Sequence, residues 1–323
     1  MIPQDLNPFA EAGLPLVAAT GVLVWLFAVV FAVRRVIAAV RGRTQLNVTD
    51  RYVVVTGCDS GFGQGVVKHL VARGARVVAC CFTEEGAQTA ITLGATSAPR
   101  VDLTDLDAIA ALAADVKAQC NGKLWGLVHN AGVVLPGFVD YQPLSFYRHV
   151  MEVNFFAPVA LTQHLLPELR AAEGRVVLIS SVDGLVSLPG NAPYDASKFA
   201  IEAYADALRV ELAAANVDVS VVNPSTMRTP LAMSFFDGHQ KAWNEMNRLN
   251  PDGAWKQQYP ADWLDAYIKA NAENLKRIAQ DPQHAIGDIV HGICAKRPRL
   301  RYLSGTLAKT LFYALWVGPE SWS

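Results

Sequence analysis

The chain has 323 residues, of which 52% are hydrophobic, and its formal net charge at pH 7 is -1. This balance leaves no basic surface for nucleic acid, so we expect no nucleic-acid partner. The five cysteines lack the spacing of metal ligands, which argues against a zinc site or a disulfide framework and predicts reduced thiols and no metal.

An apolar segment near the amino terminus is the first predicted element. Residues 14–33 carry no charge, and as a helix they would extend about 30 Å, the thickness of the hydrocarbon core of a bilayer. Acidic residues precede this segment and arginines follow it, which is the reverse of a cleaved signal peptide. We therefore expect a short segment at 1–13, a transmembrane anchor at 14–33 and a basic linker at 34–49 that faces the cytosol.

Residues 50–305 alternate short β-branched runs with helical periods. The predicted strands lie at 52–56, 76–81, 99–102, 125–128, 175–180, 218–222 and 301–303. The predicted helices lie at 64–73, 105–120, 145–170 and 194–216. Continuous apolar strands that alternate with helices are typical of a parallel sheet covered on both faces. We therefore predict an α/β fold with a single doubly wound, Rossmann-type sheet.

Two later segments break this alternation. Residues 229–288 are rich in tryptophan, tyrosine, asparagine and glutamine, and we interpret them as a substrate lid over the carboxyl edge of the sheet. An ordinary surface insertion is the alternative. Residues 306–323 form an apolar tail that is too short to span a bilayer, so an interfacial or buried helix is expected there.

The first strand ends in a glycine-rich turn, TGCDSGFG at 56–63. Gly57, Gly61 and Gly63 permit a tight turn and a close approach of the backbone to a pyrophosphate, which the amino terminus of the next helix favours electrostatically. A glycine-rich turn alone says little, but its place between a strand and a helix predicts a dinucleotide site.

A second motif places Tyr194 four residues before Lys198, on one face of a predicted helix. An ammonium beside a phenol lowers the tyrosine pKa from about 10 toward working pH, so the pair suits general acid/base chemistry at an alcohol or carbonyl. Ser181 precedes the pair and would hydrogen-bond the reacting oxygen. The same spacing also occurs by chance on solvated helix faces, so it needs support from the rest of the chain.

That support comes from the order and spacing of the motifs. The glycine turn at 56–63, an Asn-Ala-Gly at 130–132, Ser181 and the tyrosine–lysine pair resemble the short-chain dehydrogenase/reductase family over roughly residues 50–305. The runs TGCDSGFG, LWGLVHNAG and MEVNFFAPVALTQHLLPELR are similar to its membrane-bound steroid and retinol dehydrogenase branch.

The resemblance implies a catalytic set of Ser181, Tyr194, Lys198 and Asn154, in which Asn154 orders a water that links Lys198 to solvent. It also implies a nicotinamide cofactor, and a homodimer formed through the helices that carry Asn154 and Tyr194. The implied cofactor contacts lie along the carboxyl edge of the sheet: Thr56, Gly57, Asp59, Ser60, Gly61, Phe62, Gly63, Asp102, Leu103, Asn130, Ala131, Gly132, Tyr194, Lys198, Pro224 and Thr229.

The end of the second strand bears on cofactor choice, because an acidic residue there favours NAD and an arginine favours NADP. Neither stands at Cys81 or Phe82. The glycine turn has no basic residue, and Asp59 would repel a 2′-phosphate near it, so we expect NAD, with NADP as the alternative. Two further departures from the family pattern are His129, which we expect to be structural, and Ser225, which replaces a glycine.

These features predict a membrane-anchored dehydrogenase of the endoplasmic reticulum whose catalytic domain faces the cytosol. A membrane anchor suits a substrate that partitions into lipid, so we expect a lipophilic alcohol or ketone of the steroid or retinoid class. A dehydrogenase of the 3-hydroxybutyrate type is the enzymatic alternative. A non-catalytic scaffold or sensor that binds a nucleotide is the alternative from another class.

Overall fold

The computed structural model describes residues 44–318 and the single helical positions Trp25 and Val29. In this part of the chain six strands form one sheet: β1 (Tyr52–Thr56), β2 (Arg76–Cys80), β3 (Leu124–His129), β4 (Arg175–Ile179), β5 (Asp218–Pro224) and β6 (Arg301–Ser304). Their order is β2-β1-β3-β4-β5-β6, and every neighbouring pair is parallel. The order reverses between β1 and β3, where parallel sheets open a crevice for ligands.

The helices cover both faces of this sheet. They are α1 (Gly61–Val71), α2 (Glu84–Thr92), α3 (Leu106–Gln119), α4 (Leu144–Met151), α5 (Ala157–Ala171), α6 (Ala192–Leu212), α7 (Pro230–Met233), α8 (Phe235–Leu249), α9 (Trp263–Ile278), α10 (Gln283–Cys294) and α11 (Tyr313–Val317). Helices α3, α5 and α6 share one core, which includes Ile109, Leu165 and Ile201. Helices α1 and α10 pack together on the opposite face, where Ile286 lies against Gly65. The predicted doubly wound fold is confirmed.

The strands are apolar along their length because helices shield both faces. Every residue of β3 and β4 is buried, including His129 at the end of β3 and Arg175 at the start of β4. These two polar residues have partners. His129 Nε2 lies 2.8 Å from the Thr162 hydroxyl, and Arg175 donates to Asp218 at 2.6 Å.

The predicted helix at 145–170 is continuous, but its pitch changes near the centre. Between α4 and α5 the segment Glu152–Phe156 forms a π-helical turn, and Asn154 is buried within it. A π-turn adds a residue to one turn, so it redirects a side chain without ending the helix. This turn directs Asn154 toward the carboxyl edge of the sheet.

Two other elements differ from the prediction. Helix α2 has no counterpart among the predicted helices. Thr83 caps it, because Thr83 Oγ1 accepts a hydrogen bond from Gly86 N at 3.0 Å. The strand predicted at 99–102 is reduced to an isolated bridge between Cys81 and Arg100, so it is wrong as a strand.

The segment after β5 folds into α7, α8 and α9 and the loops between them. The predicted lid range, 229–288, also includes the first residues of α10. Residues 283–288 begin α10, and Ala285 and Ile286 are buried in the core. The apolar periodicity of residues 283–288 is that of a helix that packs on the sheet.

The predicted anchor at 14–33 lies outside the described residues, apart from Trp25 and Val29. Between residues 44 and 318, no helix has both the length and the apolar character needed to cross a bilayer. The apolar tail forms a π-helical turn at Ala308–Phe312, followed by α11, and Trp316 there is exposed.

The chain divides into two compact units. The smaller unit includes residues 44–46 and Ala295–Arg297, with an antiparallel bridge between Gln45 and Ala295. The larger unit contains the sheet, its helices and every candidate site residue.

Candidate active site

The candidate residues meet at the carboxyl edge of the sheet. The glycine turn follows β1, Asn130 follows β3, Ser181 follows β4, and Pro224 ends β5. Helix α6 carries Tyr194 in its first turn and Lys198 one turn later. Since the carboxyl ends of parallel strands share one edge, the fold brings together residues that are far apart in sequence.

The glycine turn is held against the segment after β3. Gly57 has φ +68°, and a Cβ there would lie 2.7 Å from Ala131 Cα, while a Cβ at Gly63 would overlap the Gly57 carbonyl. Asn130 Nδ2 donates to the carbonyls of Thr56 and Gly57 at 2.8 and 2.9 Å. Thr56 Oγ1 accepts from the backbone amides of Asn130 and Ala131. Only glycine fits these two positions of the turn.

The amino terminus of α1 faces the same edge. Ser60 is the residue before its first turn, and its side chain makes no capping hydrogen bond with any described residue. Gly61 and Phe62 begin the helix, and a Cβ at Gly61 would lie 3.5 Å from Thr229 Cγ2. The first backbone N–H groups of α1 are therefore available to donate hydrogen bonds to an anionic ligand.

Asp59 lies in the glycine turn but contacts the end of β2. Its carboxylate accepts hydrogen bonds from Phe82 N at 3.0 Å, from Thr83 N at 2.8 Å and from Thr83 Oγ1 at 2.7 Å. A negative charge thus stands at the position where parallel-sheet dinucleotide folds bind the adenosine ribose.

An open cavity of about 640 Å³ lies next to that charge. Phe82, which is 64% exposed, Arg100 and Asp102 line it. Asp102 Oδ1 accepts from Thr104 N at 2.9 Å and from Thr104 Oγ1 at 2.8 Å, and these hydrogen bonds lower the pKa of Asp102. Leu103 packs against the adjacent core.

Lys198 is buried behind the candidate reaction centre. Its Nζ donates to the Ile179 carbonyl at 2.8 Å and lies 5.2 Å from the centroid of the Tyr194 ring. Burial lowers the pKa of Lys198 to about 8, although the carboxylates of Asp183 and Glu202 act in the opposite direction. The lysine is therefore charged through neutral pH.

Tyr194 differs from the sequence-based expectation. Burial raises the pKa of its phenol, the Asp183 carboxylate raises it further, and a hydrogen-bonding interaction with Ser181 lowers it. The expected lowering of the pKa by Lys198 is wrong for this state of the protein. The reason is that the Lys198 ammonium is bound to the Ile179 carbonyl, while the phenol loses hydration.

Hydrogen bonds hold both the backbone and the side chain of Ser181. Its Oγ accepts from Asp183 N at 3.1 Å, and its carbonyl accepts from Asn223 Nδ2 at 2.9 Å. The same Asn223 amide donates to Glu202 Oε1 at 2.6 Å, and Arg301 pairs with Glu202. This support was not predicted from the sequence, although Glu202 follows Lys198 by four residues and so shares its helix face.

Asn154 is buried beside Lys198. Its Oδ1 accepts from Val133 N at 2.8 Å, and its Nδ2 donates to Ser197 Oγ at 3.0 Å. A Cβ at Gly132 would lie 3.4 Å from Asn154 Oδ1 and 3.7 Å from Lys198 Nζ, so both groups flank this glycine.

The two departures from the family pattern have structural partners. Burial lowers the pKa of His129 to about 3, so this histidine is neutral against Thr162. Ser225 N donates to the Ser304 carbonyl at 3.1 Å, which ties the loop after β5 to β6. Thr229 caps α7 by accepting from Ala232 N at 3.4 Å.

Aromatic rings from two segments meet beside this edge. Tyr141 is fully buried, and its hydroxyl lies 3.0 Å from Nδ1 of His239 in α8. Rings of the later segment pack at tilted, edge-on or stacked angles against it or against each other, namely Trp243, Trp255, Tyr259, Trp263 and Tyr267. The sequence indicated the rings of 229–288, but gave no sign that Tyr141 joins them.

The cysteines are all free and buried. Among the described residues, no group of three or more histidine, cysteine, aspartate or glutamate side chains is arranged to hold a metal ion.

Comparison with known proteins gives consistent matches. The family model for short chain dehydrogenase matches residues 51–240. Short-chain dehydrogenase/reductase family 9C member 7 of Bos taurus is 36% identical over 281 residues, covering 83% of this chain and 86% of that protein. Human retinol dehydrogenase 16 is 35% identical, covering 84% and 86%. The 17-beta-hydroxysteroid dehydrogenase type 6 of Bos taurus is 33% identical, covering 85% and 87%.

Solved structures have the same fold. A short-chain dehydrogenase from Streptomyces avermitilis is 26% identical with a TM-score of 0.66, covering 83% of this chain and 93% of that one. A short chain dehydrogenase/reductase from Burkholderia phymatum, determined in complex with NAD, is 22% identical with a TM-score of 0.67 and the same coverage.

Proposed function

The chain belongs to the short chain dehydrogenase family and is an alcohol dehydrogenase, and on this premise we propose its reaction. It transfers hydride between the carbinol carbon of a lipophilic alcohol and a nicotinamide cofactor, with NAD preferred over NADP. One observation carries the proposal. Ser181, Tyr194 and Lys198 converge at one point of the sheet edge, beside a glycine turn built for a dinucleotide.

Tyr194 is the proposed acid/base of the reaction. A bound nicotinamide ring supplies the hydride acceptor for oxidation and the donor for reduction. The phenol oxygen of Tyr194 accepts the hydroxyl proton of the alcohol, and the Ser181 hydroxyl, which interacts with that phenol, hydrogen-bonds the substrate oxygen. In the reverse direction Tyr194 donates the proton to the carbonyl oxygen.

Lys198 and Asn154 are the proposed support for this proton transfer. Lys198 Nζ is buried, lies 5.2 Å from the centroid of the Tyr194 ring and donates to the Ile179 carbonyl in this structure. We propose that its positive charge stabilises the negative charge that develops on the phenol oxygen during proton transfer. Asn154 Oδ1 and Lys198 Nζ both lie beside Gly132, 3.4 and 3.7 Å from the position a Cβ would take there. A water between these polar groups would carry protons from the lysine toward solvent, as the family resemblance implies.

The residues present fit a dinucleotide. The turn at Gly57 and Gly63 leaves no room for side chains, so the backbone can approach a pyrophosphate. The free amides at the start of α1 suit its negative charge. Phe82 and Asp102 line a cavity that is large enough for an adenosine.

Asp59 supports the preference for NAD. Its carboxylate stands at the end of β2, held by hydrogen bonds from Phe82 and Thr83. A carboxylate there can accept hydrogen bonds from ribose hydroxyls, and it repels a 2′-phosphate. Arg100, the cation that lines the cavity, is already paired with Glu84 at 3.3 Å.

A steroid or retinoid is the proposed substrate class. Within the proposed lid, 229–288, the rings of Trp243 and Tyr259 pack against the buried ring of Tyr141. An aromatic cluster of this kind suits flat, apolar molecules, which bind through burial and ring stacking. The names of the relatives, a retinol dehydrogenase and a 17-beta-hydroxysteroid dehydrogenase, agree with this class.

We also propose a single-pass protein of the endoplasmic reticulum membrane that forms a homodimer, with its catalytic domain in the cytosol. The uncharged run at 14–33 and the arginines after it support the topology. Phe156, Phe199 and Val210 are exposed on α6 and on the π-turn beside α5, which supports a dimer through these helices. Protease protection of microsomes and sedimentation of the detergent-solubilised chain test these two points.

The test of the reaction is a substrate panel. Membranes that contain the full chain are supplied with steroids, retinols or short 3-hydroxy acids, each with NAD or NADP, and cofactor reduction is recorded. We expect turnover of a lipophilic alcohol with NAD. Turnover confined to short hydroxy acids would contradict the proposed substrate class, and Ser181→Ala is the inactive control.

A further inference from the structure

A buried histidine that the proposed reaction does not use lies in the lid. His239 is fully buried in α8, and its Nε2 has no hydrogen-bond partner among the described residues. Four aromatic rings surround its imidazole at centroid distances of 5.2 to 5.9 Å, namely those of Phe138, Phe235, Phe236 and Tyr267. Buried polar atoms are nearly always paired in native proteins, so an unpaired one in an apolar enclosure points to a ligand.

The contact of the other ring nitrogen shows which nitrogen of His239 carries the proton. Nδ1 lies 3.0 Å from the hydroxyl of the buried Tyr141, and that hydroxyl has no other hydrogen bond within residues 44–318. Because a buried hydroxyl needs an acceptor for its proton, Nδ1 accepts from Tyr141. Burial lowers the pKa of His239 to about 4, so the imidazole is neutral near pH 7 and has its one proton on Nε2. Nε2–H is therefore a buried donor without an acceptor.

This donor lies beside Gly190, in the loop that leads into α6. A Cβ at Gly190 would lie 3.5 Å from His239 Nε2 and 3.5 Å from Phe138 Cε2, so the glycine leaves the position next to the donor free of side-chain atoms. Gly190 precedes Tyr194 by four residues, which span at most about 14 Å. The donor is thus within reach of a four-ring skeleton whose other end contacts Tyr194.

A second unpaired polar atom adjoins the same loop. Gln142 Oε1 is buried and has no donor among the described residues, although Nε2 of the same side chain donates to the Leu135 carbonyl at 2.6 Å. A Cβ at Gly137 would lie 2.7 Å from Gln142 Oε1, and Gly137 N donates to the Gly190 carbonyl at 2.9 Å. Two unpaired polar atoms therefore lie beside two glycines that are joined by a hydrogen bond. This arrangement suits a ligand with a polar group at this end.

We propose that His239 Nε2 donates a hydrogen bond to a second oxygen of the substrate, remote from the reacting hydroxyl, and so selects steroids that carry oxygen at both ends. This inference rests on the proposed function and deepens it, because it chooses between the two substrate classes named there. Retinol has a single oxygen, which the reaction at Tyr194 engages. It therefore offers no acceptor to His239.

The selection has a physical basis in the cost of an unpaired donor. A ketone or hydroxyl oxygen at the remote end of a steroid would pair with Nε2–H in the complex. A substrate whose remote end is hydrocarbon would leave that donor buried and unpaired. A site built to hydrogen-bond one group of a substrate discriminates against the analogue that lacks it. His239 is accordingly a specificity-determining residue and takes no part in proton transfer.

The kinetic test compares two steroids in membranes that contain the full chain and NAD. One has a single hydroxyl and a ketone at the opposite end, and the other is the same steroid without the ketone. We expect wild type to have a KM about tenfold lower for the hydroxyketone, with similar kcat, because the contact is present in both the bound substrate and the transition state.

Two substitutions of His239 separate the two ring nitrogens. The amide oxygen of His239→Asn can take the place of Nδ1 and accept from Tyr141, but this side chain is too short to reach the position of Nε2. We expect it to raise KM for the hydroxyketone about tenfold and to leave KM for the other steroid unchanged. His239→Gln reaches the position of Nε2 and should recover most of the preference. His164→Asn, on the exposed side of α5, is the control and should behave as wild type.

The outcomes that overturn the inference are specific. Equal rises of KM for both steroids in His239→Asn would mean that His239 only supports the lid. An unchanged KM for the hydroxyketone in that variant would mean that Nε2 does not contact the substrate. If His239→Asn does not fold, the comparison of the two steroids in wild type decides, and equal KM values there would refute the proposed selection.

A binding measurement separates failure of this inference from failure of the proposed function. A steroid diketone has no carbinol hydrogen to transfer, so its affinity is independent of the reaction. Its binding and that of the matching monoketone to the full chain in lipid nanodiscs are followed by quenching of tryptophan fluorescence, since Trp243 and Trp263 lie in the lid. We expect wild type to bind the diketone about tenfold more tightly and His239→Asn to lose this difference. Equal affinities in wild type would refute the role of His239 even if steroid alcohols are oxidised. A preference that depends on His239 without turnover of any alcohol would refute the proposed function alone.

Discussion

Asp59 belongs to the glycine turn by sequence and to the end of β2 by contact. Its carboxylate binds the amides of Phe82 and Thr83, and so supplies the acidic charge that β2 itself lacks. The sequence predicted that Asp59 repels a nearby 2′-phosphate. It did not predict that the Asp59 carboxylate lies at the end of β2, because that position depends on a contact with Phe82, 23 residues later. Local patterns carry no information about such a contact.

Asp59→Asn should relax the choice of cofactor. The amide oxygen can still accept from Phe82 N, but the charge that repels a 2′-phosphate is lost. We expect the ratio of kcat/KM for NADP to that for NAD to rise by about tenfold, which is about 1.4 kcal/mol. Glu85→Gln removes a carboxylate that lines the same cavity, so it is the matched control. An equal rise in that control would assign the effect to net charge alone.

The tyrosine–lysine pair shows what sequence spacing can and cannot predict. The four-residue spacing correctly placed both side chains on one helix face, because helical geometry fixes that relation. It gave the wrong direction for the pKa of Tyr194 in this state, because burial and the Ile179 carbonyl depend on tertiary packing. Asp183 was missed for the same reason.

Among the elements, the segment that carries Asn154 shows the same limit. Apolar periodicity predicted one helix at 145–170, and the helix is continuous from α4 to α5. The π-turn Glu152–Phe156 inside it was not predicted. Such a turn is stabilised by the hydrogen bonds of Asn154 with Val133 and Ser197, which join the helix to other segments. The periodicity of one segment contains no information about its hydrogen bonds with other segments.

The proposed lid has a specific attachment to the rest of the fold. Tyr259 donates its hydroxyl proton to Asp140 Oδ2 at 2.7 Å, which links the loop between α8 and α9 to the turn Val139–Tyr141. Rings of Trp263 and Tyr141 pack against Tyr259 at centroid distances of 4.5 and 5.6 Å. This hydrogen bond and the one between Tyr141 and His239 therefore add two polar contacts to an aromatic layer held mainly by ring contacts.

Tyr259→Phe should loosen this layer while the ring stays in place. We expect KM for a lipophilic alcohol to rise several-fold with little change in kcat, because one hydrogen bond to a charged group contributes about 1.5–3 kcal/mol at most. Hydrogen exchange of α8 and α9 should become faster. Tyr313→Phe, a change on the exposed helix α11, is the control. Unchanged exchange in α8 would show that the tether does not hold the layer.

At the scale of the whole molecule, the sheet was the most predictable part. Continuous apolar runs between helical periods predicted all six strands within two residues at each end, because strands buried on both faces must be mostly apolar. The strand predicted at 99–102 is wrong, because this segment lies beyond β2 at the edge of the sheet and forms only an isolated bridge. Helix α2 was missed because its nine residues are mostly exposed and weakly patterned.

The stability of the fold should depend on pH through His129. Burial lowers its folded pKa to about 3 from the usual 6.5, so below about pH 6.5 the unfolded chain binds a proton that the folded chain does not. With respect to this group, the free energy of unfolding is therefore highest above about pH 6.5 and decreases as the pH falls below that value. When the pH is lowered from 7 to 5, the free energy of unfolding in urea should fall by about 2 kcal/mol more for wild type than for His129→Gln. His164→Gln, an exposed position, should behave as wild type.

In the proposed reaction Tyr194 transfers the proton that accompanies hydride transfer. The most direct test compares wild type, Tyr194→Phe and Tyr204→Phe in membranes, by measuring alcohol-dependent reduction of NAD and, separately, NAD binding. Tyr204 lies on the same helix, away from the reaction centre, and packs against Phe155. We predict that Tyr194→Phe binds NAD as wild type does but loses turnover by at least about a hundredfold, while Tyr204→Phe keeps it. Turnover near the wild-type rate in Tyr194→Phe would contradict the account.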